Sequence, residues 1–416
     1  MFMPLTDVER SAEIAHLQHQ LKVKQAEIMS LLEITEAINS NLSSSGLMSI
    51  FESTVTKRIG IRRVAVFLPA ETGWTCAVSS GVDEQILAKN IPAEFHQFRY
   101  LTKLSRSDGW LKESFDIVMP VFHKEKPLAF ALLGNIPEQD DAILEEKLNY
   151  IQTIFNIIAV AIENKRLFRL QTAQDSLKRE LELAGQMQTM LIPSQLPSDE
   201  RLQIAAVYLP HLDVGGDYYD FFHINENEVA FCVGDISGQG IAAALLMANF
   251  QASLRALIHL NPTPENLIRQ INTRVMEITR GEKFITLFFA RFNFKTRELQ
   301  YVNAGHNPPV LMANNKIQLL EDGCTILGMF ENLPYVHSGA VTLPVNSFLF
   351  CYTDGLIEVE NENGEQLEAT RLIEFLKLNN TKQMEEINND LLDYLVEFKQ
   401  KNIFKDDITI FSCRIF

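Results

Sequence analysis

Near its middle, the chain reads Val229-Ala-Phe-Cys-Val-Gly-Asp-Ile-Ser-Gly-Gln-Gly240. An apolar run that ends at Asp235 predicts a buried strand that delivers one carboxylate to the edge of a sheet. The glycines that follow allow the backbone to approach a bound ion or phosphate closely. A strand followed by Asp-Gly is a common turn signal on its own, so its meaning depends on the rest of the chain.

Four further short motifs accompany this stretch, and most of their aspartates also stand where an apolar run stops. They are Val214-Gly-Gly-Asp217-Tyr-Tyr-Asp220, Ala304-Gly-His-Asn-Pro-Pro309, Tyr352-Thr-Asp354-Gly355 and Asp406-Asp407-Ile-Thr. Carboxylates gathered at one edge are hard oxygen ligands, which suit Mg²⁺ or Mn²⁺. The sequence therefore predicts a divalent-cation site built from aspartates that are distant along the chain.

The individual acids differ in how well they fit such a site. Asp217 is the better ligand candidate of its motif, whereas Asp220 is equally consistent with a solvated turn. Adjacent residues of a strand face opposite sides, so only one of Asp406 and Asp407 is expected to point into the site. The other is expected to make a hydrogen bond or to face water.

Three other side chains allow different chemistry. His306 fits a general acid or a phosphate contact, and it fits equally a residue that holds its loop in place. Ser237 is a possible nucleophile, but neither a base nor an elbow motif accompanies it. Cys351 lies inside an apolar strand without a phosphate-binding loop. Covalent catalysis is therefore disfavoured.

Composition limits the class of protein. A chain of 416 residues predicts two domains with connecting segments, and the formal net charge of -16 argues against nucleic-acid binding. The five cysteines form no Cys-x-x-Cys pair, which indicates a reducing cytosol. Neither a signal peptide nor a membrane-spanning segment is expected. We therefore predict a cytoplasmic protein without a membrane partner.

Residues 8–42 predict a helix with a heptad seam, in which Lys24 and Thr35 fill two positions. The apolar members are Ile14, Leu17, Leu21, Ile28, Leu31, Ile38 and Leu42. A helix that lies on its own domain is the alternative, but no core precedes this segment, so pairing with a second chain is favoured. The expectation is a homodimer formed through helical segments.

Short apolar runs follow, at 63–68, 116–122 and 127–133, and they predict strands of an antiparallel sheet. Helical periodicity then extends from about Asp140 to Ile192, where Pro193 ends it. Its weak seam contains Gln174 and Gln188 beside leucines. This helix is predicted to be a dimer stalk, or to shift register when the preceding domain changes state.

The last part of the chain predicts layered α+β packing rather than regular βαβ alternation. Strands are predicted at 203–209, 228–233, 285–292, 299–303, 348–352 and 408–415, and helices at 241–259, 264–280, 369–378 and 382–399.

These motifs closely resemble the metal-dependent PPM-type serine/threonine phosphatases, in the bacterial branch that includes sporulation stage II protein E and the sigma-B regulator phosphatases. The resemblance covers residues 175–416, including Leu181-Glu-Leu-Ala-Gly-Gln-Met-Gln188 and Leu191-Ile-Pro193, which are similar to the helical segment that precedes the domain in that branch. It implies an α-β-β-α sandwich and two Mn²⁺ or Mg²⁺ ions that activate a water against a phosphoserine or phosphothreonine.

By the same resemblance, Asp235 bridges the two metal ions and the Ile236 carbonyl assists one of them. Asp354 and Asp406 hold the other, and Asp217 completes the cluster; Asp235, Asp354 and Asp406 are the implied catalytic residues. The chain departs from the family pattern at Gln239, where the family often has His, and at Asn293, where an acid is frequent. Neither position belongs to the implied metal set.

Residues 45–165 resemble, more loosely, a GAF sensor domain, an α/β fold that binds an unknown ligand here. The resulting organisation is an N-terminal coiled-coil helix at 8–42, a GAF-like domain at 43–165, a helical coiled-coil linker at 166–198 and a PPM-type domain at 199–416. The resemblance implies a phosphorylated anti-anti-sigma-type partner as substrate, under control of the sensor domain.

Two rival functions stay open from the sequence. The first is a sensor and scaffold protein of the same fold that has lost activity. The second takes Gly215-Gly-Asp-Tyr218 as a diguanylate cyclase signature, which leaves the later Asp-Gly and Asp-Asp motifs unexplained.

Overall fold

The computed structural model describes residues 7–70, 73–87, 95, 97–105, 110–137 and 140–416. The chain divides into two compact units, residues 1–174 and 175–416. A single helix, α5 (Asp141–Thr189), runs through the point of division, so the predicted linker at 166–198 is mostly the second half of a longer helix.

The first unit contains an antiparallel sheet with strand order β2-β1-β5-β4-β3. The strands are β1 (Arg63–Ala70), β2 (Gly73–Ser80), β3 (Thr102–Lys103), β4 (Ile117–His123) and β5 (Lys126–Gly134). The helices are α1 (Asp7–Asn39), α2 (Ser44–Ser53), which continues into a π-helical turn (Thr54–Arg58), α3 (Glu84–Leu87) and α4 (Trp110–Ser114). The three predicted strands and the antiparallel arrangement are confirmed; the GAF-like assignment stays a prediction.

The two halves of α1 differ in their surroundings. Ile34 is fully buried in the core of the first unit, and Leu31 and Ile38 pack against that core. Ile14 and Leu17 are each 56% exposed in the single chain. The alternative of a helix that lies on its own domain therefore holds for the last turns of α1, which pack on the core of the first unit. Pairing of the exposed turns with a second chain stays a prediction.

The second unit is built on two sheets. One has the strand order β13-β10-β9-β8-β7, with β14 added beside β10, and the other has the order β12-β11-β15-β16-β6. The strands are β6 (Leu202–Leu209), β7 (Tyr218–Asn225), β8 (Glu228–Ile236), β9 (Ile285–Asn293), β10 (Glu298–Ala304), β11 (Val310–Ala313), β12 (Lys316–Leu319), β13 (Gly323–Cys324), β14 (Gly339–Thr342), β15 (Ser347–Tyr352) and β16 (Ile408–Ile415).

Aromatic and aliphatic side chains from both sheets form one core between them. Phe231 of β8 stacks on Phe411 of β16 with ring centroids 5.2 Å apart. The helices are α6 (Ile241–Ile258), α7 (Pro264–Thr279), α8 (Asp354–Ile357), α9 (Glu368–Asn379) and α10 (Met384–Lys399). Helices α6 and α7 pack on the first sheet, while α9 and α10 pack on the second. The predicted α-β-β-α sandwich is the observed layer order.

Helix α6 is long and apolar enough to cross a membrane by length and composition alone. Its face formed by Ala243, Met247, Phe250 and Leu254 is buried in the core of the second unit. Packing against the sheet therefore accounts for the apolar residues of this face.

Candidate active site

Four of the predicted site aspartates lie at strand ends on the two facing sheets. Asp217 directly precedes β7, and Asp235 is near the end of β8, where it pairs with Thr286 of β9. Asp354 follows β15 as the first residue of α8, and Asp406 stands two residues before β16. Each sheet therefore contributes two of the acids, as the strand-end pattern predicts.

Burial and neighbouring negative charges raise the pKa of three of these acids. Burial, with the negative charges of Asp354 and Asp406 added, raises the pKa of Asp235 to about 7. Burial and the charge of Asp235 raise the pKa of Asp217 well above its ordinary value. Burial and the charge of Asp406 raise the pKa of Asp354. Three of the acids are thus harder to ionise because of burial and a negative neighbour.

The backbone approaches the acids closely at two glycines. A Cβ placed on Gly355 would lie 3.3 Å from the Cβ of Asp406, and closer still to the Asp407 carbonyl. A Cβ placed on Gly216 would lie 2.6 Å from the Ile236 carbonyl oxygen. That carbonyl therefore faces the residue next to Asp217. Any side chain at either glycine would displace backbone that carries a site residue.

Thr353 connects the two sheets through hydrogen bonds next to the acids. It is fully buried, and its Oγ1 donates a hydrogen bond of 2.7 Å to Asp217 Oδ2. The same Oγ1 accepts one of 2.9 Å from the Thr409 amide. The sequence analysis did not identify Thr353. Its position directly before Asp354 was the one signal that this hydroxyl could contact the site.

Asp406 and Asp407 have different surroundings, as expected for neighbours on opposite faces. Asp407 is 8% exposed, and its two oxygens accept hydrogen bonds from the amides of His211 (2.7 Å) and Gly216 (2.6 Å). Asp406 lines a cavity of about 220 Å³ together with Glu358. Asp407 is thus the member of the pair whose two oxygens are both held by the amides of the loop before β7.

Glu358 is a further acid that the sequence analysis did not identify. It is the residue after α8, and its amide donates to the Asp354 carbonyl. Burial, followed by the charges of Asp354 and Asp406, raises the pKa of Glu358. Its spacing of four residues from Asp354 was the signal, because that spacing places two helical side chains on one face.

The donor set of this edge consists of carboxylate and carbonyl oxygens, which fits a hard divalent cation. The raised pKa of Asp235 and Asp354 has the same implication, since a cation would offset the repulsion between the carboxylates. Among the described residues, however, no group of three or more His, Cys, Asp or Glu side chains is arranged closely enough to hold a metal ion. The carboxylate and carbonyl donors therefore fit the ion in chemistry and charge.

His306 is positioned to hold its loop. It is 5% exposed, its Nδ1 lies 2.9 Å from Thr286 Oγ1, and its amide donates to Asn303 Oδ1 at 2.7 Å. Burial lowers the pKa of His306 to about 4, against the opposing effect of the Tyr352 carbonyl. The ring is therefore neutral at pH 7 and is a poor general acid. Of the three roles open from the sequence, which are general acid, phosphate contact and loop support, loop support agrees with these hydrogen bonds.

Ser237 and Cys351 have surroundings that do not favour covalent catalysis. Ser237 Oγ accepts a hydrogen bond of 2.9 Å from the Phe284 amide. This hydroxyl therefore connects the loop after β8 to the residue directly before β9. Cys351 is fully buried, and burial raises the pKa of its thiol well above the ordinary value. A thiol in that state is a poor nucleophile, because the thiolate is the reactive form.

Asn293, one of the two departures from the family pattern, lies far from the acids. Its side-chain amide donates to Glu228 Oε1 at 3.0 Å, at the opposite end of β9 from the position that pairs with Asp235. The side chain at this position therefore stabilises the pairing of β8 with β9 at the end of the sheet away from the acids.

Asp220 is not in a solvated turn, and that interpretation is wrong. It lies in β7 with a side chain that has no exposure, and it forms a bidentate ion pair with Arg255 of α6. The two N···O distances are 2.8 and 2.9 Å, and the Tyr218 hydroxyl donates to the same carboxylate. Asp220 therefore anchors α6 to the sheet.

We expect Arg255→Met to lower the free energy of unfolding by about 2 kcal/mol, because it leaves a buried carboxylate without its cation. Chemical denaturation of the full chain measures this loss. Arg274→Met on α7 is the control, since its ion pair with Glu277 is exposed on both sides and should contribute less than about 1 kcal/mol. Equal stability of the two variants would contradict the structural role of the Asp220–Arg255 pair.

Comparisons with known proteins agree with this geometry. Residues 225–416 match the family model for stage II sporulation protein E (SpoIIE). The chain is 28% identical over 249 residues to phosphoserine phosphatase RsbU of Bacillus subtilis, which covers 59% of this chain and 72% of RsbU. It is 26% identical over 196 residues to phosphoserine phosphatase RsbP of the same organism, covering 46% of this chain and 47% of RsbP. The chain therefore spans about half the length of RsbP.

Among solved structures, the SiaA-PP2C domain of Pseudomonas aeruginosa aligns with a TM-score of 0.53 and 19% identity. The alignment covers 59% of this chain and 99% of that domain. At this identity the likeness concerns the fold alone, and it agrees with the α-β-β-α layers of the second unit.

Proposed function

We propose that the whole chain is a metal-dependent phosphoprotein phosphatase under sensor control, because residues 225–416 match the SpoIIE family model and the chain is similar to phosphoserine phosphatase RsbU. The observation that carries the proposal is the convergence of acids from both sheets on Asp235, whose pKa is raised by burial and by the charges of Asp354 and Asp406. A buried carboxylate with negative neighbours forms a site that favours cations.

In this proposal Asp217, Asp235, Asp354 and Asp406, with the Ile236 carbonyl, would hold two Mn²⁺ or Mg²⁺ ions. Such a pair supplies a nucleophilic water at neutral pH and offsets charge on the phosphoryl group. Thr353 fixes the orientation of Asp217 through its hydrogen bond, and Asp407 fixes the backbone at Gly216. The chain's own contribution is therefore to hold oxygen donors in place, without a nucleophilic side chain.

The proposed substrate is a phosphoserine or phosphothreonine on a small regulator protein of the anti-anti-sigma type. Support comes from the relatives RsbU and RsbP, both named phosphoserine phosphatases. The first unit would serve as the GAF-like sensor of an unknown ligand, in a cytoplasmic homodimer. A diguanylate cyclase is no longer supported, because Gly215 and Asp217 lie in a PP2C-type fold.

The test is release of phosphate by the full chain from a serine-phosphorylated protein, with Mn²⁺, with Mg²⁺ and with EDTA. We expect turnover with at least one cation and none with EDTA. An inactive scaffold has one observation in its favour, because the described acids do not form a closed ligand set. Absence of turnover with both cations, while the chain binds the phosphoprotein, would support the scaffold instead.

A further inference from the structure

The last turns of α5 pack against the loop that leads to Asp217. Gln188 is 5% exposed, its Nε2 donates to the Gly215 carbonyl at 2.6 Å, and its Oε1 accepts from the Gly215 amide at 3.1 Å. One side-chain amide thus satisfies both polar groups of one loop residue. The heptad pattern predicted a seam position here, but this side chain is used within its own unit.

The approach of helix and loop depends on small residues. A Cβ on Gly185, one turn before Gln188, would collide with the Asp213 carbonyl oxygen. A Cβ on Gly215 would collide with the Asp407 carboxylate and the Tyr208 hydroxyl. Glycine at both positions allows the helix, the loop and Asp407 to touch directly.

The loop that Gln188 contacts is connected directly to the site acids. Gly216 follows Gly215 and donates its amide to Asp407 Oδ2 at 2.6 Å, and Asp217 comes next in the chain. Asp407 in turn is the neighbour of Asp406. Gln188 is therefore linked through the Gly215–Gly216 loop to Asp217 and Asp406, one acid from each sheet.

From this geometry we propose that Gln188 is a positioning residue, whose amide fixes the Gly215 peptide and thereby sets the place of Asp217 for cation binding. The inference rests on the proposed cation site. This role requires a side chain as long as glutamine that donates one hydrogen bond and accepts another at the same time. A glutamate would present a second acceptor to the Gly215 carbonyl, and a methionine would fill the space without either hydrogen bond.

The experiment measures Mn²⁺ binding to the full chain without substrate, from the electron paramagnetic resonance signal of the free ion. We expect Gln188→Met and Gln188→Glu each to raise the Mn²⁺ concentration at half saturation about tenfold. That change corresponds to about 1.4 kcal/mol, as expected for the loss of one or two buried hydrogen bonds. In turnover assays at saturating Mn²⁺, KM for the phosphoprotein should stay within about twofold.

Gln186→Met is the matched control, because Gln186 lies on the same turn and is exposed. Its Mn²⁺ binding should equal that of the unchanged chain. Equal Mn²⁺ affinity in both Gln188 variants and the control would overturn the proposal. The proposal would also fail if the variants bound less Mn²⁺ only in proportion to the fraction of unfolded protein, which the thermal transition measures. If the unchanged chain binds Mn²⁺ but releases no phosphate, the proposed function fails while the binding comparison still decides the role of Gln188.

Discussion

Replacing Asp235 with asparagine should lower kcat/KM for a phosphoprotein by about 10³-fold or more, while the chain remains folded. The carboxylate is the acid on which the charges of Asp354 and Asp406 both act, so its removal affects the centre of the proposed cation site. Losses of this size are typical when one charged or hydrogen-bonding group of a preorganised site is removed.

The measurement is phosphate release at saturating Mn²⁺, with circular dichroism to verify folding. Asp354→Asn should give a comparable loss. Asp393→Asn on α10 is the control, because Asp393 is an exposed acid on the outer helical layer, and its turnover should not change. Full turnover in both site variants would refute the assignment of these residues.

A second large effect concerns stability without metal. The pKa of Asp235 is raised from 3.8 to about 7 in the folded chain, so the folded state binds this proton more tightly than the unfolded state does. The free energy of unfolding therefore decreases as pH rises from about 4 to 7, and the full penalty is present above pH 7. In EDTA at pH 8, Asp235→Asn should stabilise the chain by about 2–4 kcal/mol.

Thermal or chemical denaturation at pH 8 and at pH 4.5 measures this difference. The stabilisation by Asp235→Asn should fall to about a quarter of its pH 8 value at pH 4.5, where the aspartic acid is protonated in the folded state but mostly ionised in the unfolded state. Saturating Mn²⁺ should reverse the order at pH 8, because bound ligand stabilises only the chain that can hold it. The same stability at both pH values, in EDTA, would show that Asp235 is not held in a strained ionised state.

Much of the fold follows from local sequence patterns. The strand at 408–415 has the predicted bounds, and the four predicted helices of the second unit begin and end within two residues of prediction. These elements have strong periodicity and clear end signals, such as Thr263 capping α7 and Pro264 at its first position. The position of the site aspartates at strand ends could also be predicted from local sequence, because each follows or precedes an apolar run.

The parts that sequence reasoning missed depend on partners distant along the chain. Asp220 resembles a turn residue locally, and only Arg255, 35 residues later, makes its burial in β7 possible. Gln188 occupies a heptad position, and only Gly215 shows that its amide has an intramolecular partner. Local periodicity contains no information on such pairs, so they appear only when the layers are assembled.

The unbroken course of α5 has a consequence for rotation. Each residue of an α-helix advances the chain by about 100° around the axis. Inserting a single residue between Lys178 and Ala184 would turn the side chain of Leu177 by about that angle relative to Gln188. Inserting seven residues would return it to within about 20° of its original direction. The hydrogen bonds between Gln188 and Gly215 therefore fix the rotation of the preceding helical turns about the helix axis as well as their position along it.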